Sequence, residues 1–176
     1  AWAYMNDVIV PRILVPSLTT LFKDYFSAVL GWTLGEAGGR ESRRASFEGS
    51  GGGLMLRRPG YVFEPHLVPR RAILTALLYF GTPEDSHEHG TKLFRLNGAI
   101  PATHRGVYYP LKEGATCEFA KMIPSRPNSM LVFASRIGLH GADIPATAQP
   151  PTLERYTYQF YIEPRKGRPQ RSPILS

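Results

Sequence analysis

Short runs of β-branched and aromatic residues, each closed by proline, glycine or asparagine, fill the chain from residue 54 to residue 163. Runs of this length between turn formers are typical of β-strands. Nine candidate strands follow one another, at residues 54–58, 61–66, 72–80, 91–97, 106–109, 117–123, 130–135, 140–144 and 155–163. Because no helical pattern separates them, the spacing predicts a mostly β sandwich or jelly roll rather than a parallel sheet with interleaved helices.

The last of these runs alternates so regularly that it predicts which side chains share a face. Successive side chains of a strand point to opposite faces of the sheet. One face carries Tyr156, Tyr158, Phe160 and Ile162, and the other carries Arg155, Thr157, Gln159 and Tyr161. The run at residues 73–80 is apolar on both faces, which predicts a central strand that is covered on both sides.

The segments that flank the strands define the expected domain organisation. Residues 17–30 carry apolar side chains at helical spacing, whereas residues 35–53 are polar and glycine-rich. We therefore expect a single domain over residues 1–176. It combines an N-terminal helical support at 1–34, a flexible loop at about 35–53, a jelly-roll core at about 54–163 and a C-terminal tail at 164–176.

The charge balance is basic, with 21 Lys and Arg against 14 Asp and Glu, a formal net charge of +7. The basic residues are scattered in small groups and form no helix-length stripe, which favours a solvated surface and argues against a nucleic-acid partner. An anionic substrate or cosubstrate fits the same charge.

Other features of the composition limit the cellular setting. No stretch approaches the ~18 apolar residues of a membrane span, and the first residues lack the order of a secretory signal. The single cysteine, Cys117, excludes an intramolecular disulfide and a multi-cysteine zinc site. We expect a cytoplasmic protein that does not bind a membrane.

Histidines are the candidate metal ligands of this chain. His87 and His89 fit the opening of a cupin metal motif, but Leu93 and Phe94 stand where that motif needs a glutamate, so we interpret this segment as a polar surface loop. His66 and His140 each end a candidate strand. Strands of a small barrel face each other across its mouth, so two such imidazoles can converge on one Fe(II) ion.

Five segments of the chain carry a family resemblance: RPGYVFEPH, AILTALLYF, HGTKLFR, RPNSMLVFASRIGLHGAD and ERYTYQFYI. In this order they resemble the double-stranded β-helix of the Fe(II)/2-oxoglutarate-dependent oxygenases, in the prolyl-hydroxylase-like branch. The resemblance covers about residues 58–163. It implies a jelly-roll hydroxylase that uses Fe(II), 2-oxoglutarate and molecular oxygen on a small-molecule or peptide substrate.

The same resemblance assigns roles to individual residues. It implies that His66 and His140 bind iron and that Arg155 and Thr157 bind the distal carboxylate of 2-oxoglutarate. Arg155 and Thr157 are two residues apart and therefore share a face, and a guanidinium fork suits a carboxylate. Tyr79, on the central strand, either donates a hydrogen bond to the cosubstrate or packs in the core.

The family's first motif is His-x-Asp/Glu, but this chain has Val68 in place of the carboxylate. Three explanations stay open. The site has lost its carboxylate and serves binding rather than catalysis, or a halide fills the position as in halogenating relatives, or Glu64 or Asp143 substitutes. A dealkylase acting on nucleic acid is disfavoured, because RYTYQFYIE lacks the Arg-x-Asn-x-Thr-x-Arg pattern of that group.

Overall fold

The fold is described here from a computed structural model, which covers residues 2–34, 46–69, 71–81, 87–100 and 106–165. Helical structure comes first, as α1 (Trp2–Tyr4), a π-helix (Met5–Leu14), α2 (Val15–Leu21) and α3 (Lys23–Leu34). The strands are β1 (Phe47–Arg57), β2 (Val62–His66), β3 (Leu74–Phe80), β4 (Thr91–Asn97), β5 (Thr116–Ile123), β6 (Ser129–Ala134), β7 (His140–Asp143) and β8 (Arg155–Pro164). A 3₁₀ helix (Pro110–Glu113) precedes β5.

The strands form two four-stranded antiparallel sheets. Sheet I has the order β1-β8-β3-β6, and sheet II has the order β2-β7-β4-β5. The prediction of a mostly β chain with an N-terminal helical segment is confirmed. Residues 106–109 were expected to form a strand, but the structure has only an isolated bridge there, between Tyr108 and Leu67.

Strand β1 begins at Phe47, seven residues before the predicted core, so the expected flexible loop is wrong for residues 47–53. Two glycines of this stretch, Gly49 and Gly52, lie against the N-terminal helical segment. A Cβ atom at Gly49 would be 2.5 Å from the Val10 side chain, and Gly51 has a φ of +67° where the β1–β8 register shifts. Glycine therefore serves close packing and a bulge here. Residues 35–45 of the expected loop and 166–176 of the expected tail lie outside the described residues.

The helical segment is bent rather than continuous. The predicted helix at 17–30 is divided at Phe22, and the helices on either side are inclined by 80°. Among the described residues, no single helix is long and apolar enough to cross a membrane, and one bent pair, Trp2–Leu21 with Lys23–Leu30, meets the length and composition test only when taken together.

The helices pack on the outer face of sheet I and form the main core. The bend allows both helical segments to lay apolar side chains on the same sheet, and Phe26 contacts Phe47 of β1 with ring centroids 4.4 Å apart. The buried members of this core are Val10, Val15, Leu18, Phe26, Val29, Leu30, Ile73, Leu74, Ala76, Tyr158, Phe160 and Ile162. Because the helices cover the outer face of sheet I, the side chains of β3 and β8 on its opposite, inner face point toward sheet II.

Candidate functional site

The inner face of sheet I carries the polar residues that the alternation of β8 predicts. Arg155 is 5% exposed and Thr157 is fully buried, although an arginine is rarely buried. Thr157 is the cross-strand partner of Tyr79 on β3. The structure thus brings all three residues that the resemblance assigns to the cosubstrate onto one face, between the two sheets.

The two candidate iron ligands are neighbours on sheet II. His66 ends β2, His140 begins β7, and the two are direct cross-strand partners. Their ring centroids are 4.2 Å apart, and both side chains are buried. The sheet therefore brings together two imidazoles that lie more than seventy residues apart in the sequence.

The hydrogen bonds of these rings determine which nitrogen is available. The Nδ1 atom of His66 lies 2.9 Å from the Glu64 carbonyl oxygen, and the Nδ1 atom of His140 lies 2.9 Å from the Gly138 carbonyl oxygen. A carbonyl oxygen can only accept, so each Nδ1 carries the proton and donates it. Each Nε2 then keeps a lone pair, the arrangement common among metal-binding histidines.

Both imidazoles are held in the neutral form that metal binding requires. The pKa of His66 is lowered from its ordinary value, mainly because the ring is buried. Burial, followed by the neighbouring His66, lowers the pKa of His140 to about 3, and the charge of Arg57 acts in the same direction. At neutral pH both Nε2 atoms are therefore unprotonated.

The described residues supply no carboxylate to this pair. Val68 is buried, at 2% exposure, and has no ligating atom. Glu64 forms an ion pair with Lys112 at 3.3 Å, and its side chain is 48% exposed. The β2–β7 register shifts between Phe63 and His66, so the alternation that would place Glu64 beside His66 is interrupted.

Asp143, the other carboxylate considered, is also engaged elsewhere. It forms an ion pair with Lys92 at 2.5 Å. Among the residues that the structure describes, no three His, Cys, Asp or Glu side chains form a group that could hold a metal ion. The donor set therefore fits a metal ion at two positions, His66 and His140, and leaves the remaining positions to ligands from outside the described chain.

Arg155 has donors that no described group of the chain uses. Its Nη1 donates to the Gly90 carbonyl oxygen at 3.2 Å, whereas its Nε and Nη2 are buried without a partner. Burial and the charge of Arg57 lower the pKa of Arg155 to about 10, so the guanidinium is still charged at neutral pH.

The Tyr79 hydroxyl lies 2.7 Å from the Thr91 hydroxyl, and the pKa of Tyr79 is raised mainly because its side chain is buried.

Arg57 is a site residue that the sequence reasoning missed. It is 5% exposed, lies directly opposite Arg155 in the β1–β8 pair, and its Nη1 donates to the Thr157 hydroxyl at 3.4 Å. Its guanidinium carbon also lies 5.1 Å from the centre of the Tyr61 ring. The signal was available, because strand alternation places adjacent Arg57 and Arg58 on opposite faces.

The two other histidines that the structure describes, His87 and His89, do not join the pair. His87 lies before β4, where its Nδ1 is 3.2 Å from the Ser125 carbonyl oxygen, and His89 follows in the same loop, where it lines a small cavity with Arg155. This agrees with their interpretation as loop residues. His104 lies outside the described residues.

Comparisons of this chain with protein-family models and with curated proteins find no match. The candidate site combines two neutral imidazoles on sheet II with two buried guanidiniums on sheet I.

Proposed function

We propose that this chain is a jelly-roll protein of the Fe(II)/2-oxoglutarate-dependent oxygenase type that hydroxylates a small-molecule or peptide substrate. The strand orders β1-β8-β3-β6 and β2-β7-β4-β5 support the jelly roll, because successive strands mostly alternate between two facing sheets. One observation carries the function. His140, one of a pair of neutral imidazoles, lines a cavity with Arg57, and Arg57 is the direct cross-strand partner of Arg155, which is buried with unused donors.

The chain's own residues would bind and orient the cosubstrate. Arg155 would take the distal carboxylate of 2-oxoglutarate through its free Nε and Nη2 donors, with the Thr157 hydroxyl beside it. The Nε2 lone pairs of His66 and His140 would hold the metal ion at the other end. Iron, when bound, supplies the oxygen-activating chemistry that converts 2-oxoglutarate to succinate and carbon dioxide. The sheets exclude water from the reacting atoms.

A second function is favoured by one specific observation, that none of the carboxylates the structure describes lies beside the histidines as a ligand. Glu64 and Asp143 are both engaged in ion pairs with lysines, and Val68 cannot ligate. On this alternative the chain binds 2-oxoglutarate or a similar acid without turnover. Halogenation has less support, because valine is larger than the alanine or glycine that leaves room for a halide.

Succinate release separates these functions. The purified protein is incubated with Fe(II), ascorbate, oxygen and labelled 2-oxoglutarate, with and without chloride, and succinate is measured. We expect release above the metal-free background, which Arg155→Met and His140→Gln abolish and the control Arg58→Met does not. Arg58 is exposed and paired with Glu154, outside the site. Binding of 2-oxoglutarate without any succinate would support the non-catalytic alternative, and dependence on chloride would support halogenation.

A further inference from the structure

Two buried positive charges lie side by side on the inner face of sheet I. Arg57 and Arg155 are direct cross-strand partners, and each is 5% exposed. Like charges that are directly opposite in an antiparallel pair destabilise the sheet, and burial increases this cost. The arrangement lowers stability unless something with negative charge occupies the space between the sheets.

The described part of the chain supplies little of that negative charge: Asp143 acts on Arg155 and raises its pKa, but it is the smallest of the causes and makes no ion pair with either guanidinium. No described carboxylate lies within 4.0 Å of either guanidinium, and the contacts they do make are to neutral groups of Thr157, Met55, Gly90 and the Tyr61 ring. The Nε of Arg57 and the Nε and Nη2 of Arg155 are buried without a hydrogen-bond partner. Unused donors on buried cations are the groups that an anionic ligand satisfies.

The two guanidiniums serve different parts of this space. Arg57 lines a cavity together with His140, Thr91 and Gln159, whereas Arg155 lines a separate small cavity with His89 and Ser125 and is bonded to the Gly90 carbonyl oxygen, just before β4. Because the two arginines are direct cross-strand partners, an extended ligand that joins the two cavities would contact Arg155 at one end and Arg57 toward the other.

We propose that Arg57 is a second carboxylate-binding residue, so that Arg57 and Arg155 together form a site for a dicarboxylate that binds without a metal ion. This inference rests on the proposed function for the identity of the acid, 2-oxoglutarate. Arg155 takes the distal carboxylate, and Arg57 takes the carboxylate next to the keto group. The metal-side carboxylate is then held by the protein itself, at a site whose histidine pair has no anionic ligand among the described residues.

Three related acids distinguish the two ends of the ligand. 2-Oxoglutarate has both carboxylates, 2-oxopentanoate has a methyl group in place of the distal carboxylate, and 4-oxopentanoate has a methyl group in place of the carboxylate next to the keto group. Binding of each acid is measured by titration calorimetry in EDTA, with the wild type, Arg57→Gln, Arg155→Gln and the control Arg58→Gln. Thermal unfolding of each variant is recorded in parallel, and we expect removal of either buried cation to keep or raise the melting temperature.

The expected result is specific to each end. Arg57→Gln weakens binding of 2-oxoglutarate and 2-oxopentanoate roughly tenfold or more and leaves 4-oxopentanoate unchanged, because one charge-assisted contact is lost. Arg155→Gln weakens 2-oxoglutarate and 4-oxopentanoate and leaves 2-oxopentanoate unchanged. Arg58→Gln changes none of them.

Equal weakening of all three acids by Arg57→Gln would overturn the proposal, since it would mean a general effect on packing. Unchanged 2-oxoglutarate affinity in Arg57→Gln, or no metal-free binding by the wild type, would overturn it as well. These outcomes are separate from the succinate assay. Binding that depends on Arg57 in a protein that releases no succinate contradicts the oxygenase and leaves this inference standing.

Discussion

The hydroxyl groups of Tyr79 and Thr91 lie 2.7 Å apart and form a buried hydrogen bond between sheet I and sheet II. Tyr79 belongs to β3, and Thr91 begins β4. This bond fixes the spacing of the two sheets beside Arg155, so it belongs to the structure of the cavity as well as to the core.

We expect Tyr79→Phe to lower the free energy of unfolding by about 1–3 kcal/mol, because the substitution leaves the buried Thr91 hydroxyl without a partner. Urea unfolding measures the change. The control is Tyr156→Phe, whose part-buried hydroxyl bonds to the Glu154 carboxylate at the start of the strand, and it should change stability by less than about 0.5 kcal/mol. Equal effects of the two substitutions would contradict the role of the inter-sheet bond.

The stability of the metal-free protein should decrease as the solution becomes acidic. His140 has a pKa of about 3 in the folded chain, against 6.5 as its ordinary value. Between these values the unfolded state binds more protons, so the free energy of unfolding falls as the pH is lowered from about 6.5 toward 3, by at most about 1.4 kcal/mol per pH unit for this group.

Urea midpoints measured across this pH range in EDTA test the expectation. In His140→Gln the part of the decline that this histidine causes should disappear, and a smaller decline should remain because the pKa of His66 is also lowered. The charged group that acts on both rings is Arg57. A His140→Gln profile parallel to that of the wild type would show that His140 titrates normally in the folded protein.

Val68→Asp should raise the affinity for Fe(II) by about tenfold or more, because the new carboxylate attracts the ion. A tenfold change corresponds to only about 1.4 kcal/mol of binding free energy. Anaerobic calorimetry measures the affinity, and succinate release should rise with it. The control Val68→Asn has the same shape without the charge. Glu64→Gln should leave iron binding unchanged, because Glu64 is paired with Lys112.

Two results would change this account of the metal site. If Val68→Asp and Val68→Asn bind iron equally, the residue at this position does not approach the ion. If Glu64→Gln loses iron binding, then Glu64 leaves its ion pair and completes the ligand set after all.

Gly90→Ala should destabilise the protein by about 1–3 kcal/mol, because the added methyl group would overlap the Ile123 carbonyl on the neighbouring strand. The same change displaces the Gly90 carbonyl oxygen that orients Arg155, so we expect weaker binding of 2-oxoglutarate as well. Gly106→Ala is the control, since nothing lies within 4 Å of the added atom there. Calorimetric melting and titration check the two effects.

Patterns within a single strand predicted the polar inner face of the site. The alternation of β8 places Arg155 and Thr157 together because that relationship depends only on the pleat of one strand. The same alternation would place Glu64 on the face of His66, but the β2–β7 register shifts between Phe63 and His66. This shift arises from the pairing of β2 with β7. Local periodicity does not contain information about pairing between distant strands.

Two other features depended on contacts between distant parts of the chain. The glycines of β1 were interpreted as a loop because glycine is unfavourable in strands, yet pairing with β8 and the close approach of Val10 decide the outcome. Arg57 and Arg58 form one of the small basic groups for which the sequence predicts a solvated surface. The partner of Arg57, Arg155, is almost a hundred residues away, so only the fold brings the two guanidiniums together.

The helices cover sheet I, whereas large side chains of sheet II such as Val62 and Phe119 are 69% and 54% exposed. Opening therefore costs least on the side of sheet II, and backbone amides of β3 and β8 should exchange with solvent far more slowly than those of β5. For a ligand that binds between the sheets, we therefore expect the wall with the arginines to stay in place and the wall with the histidines to open more readily.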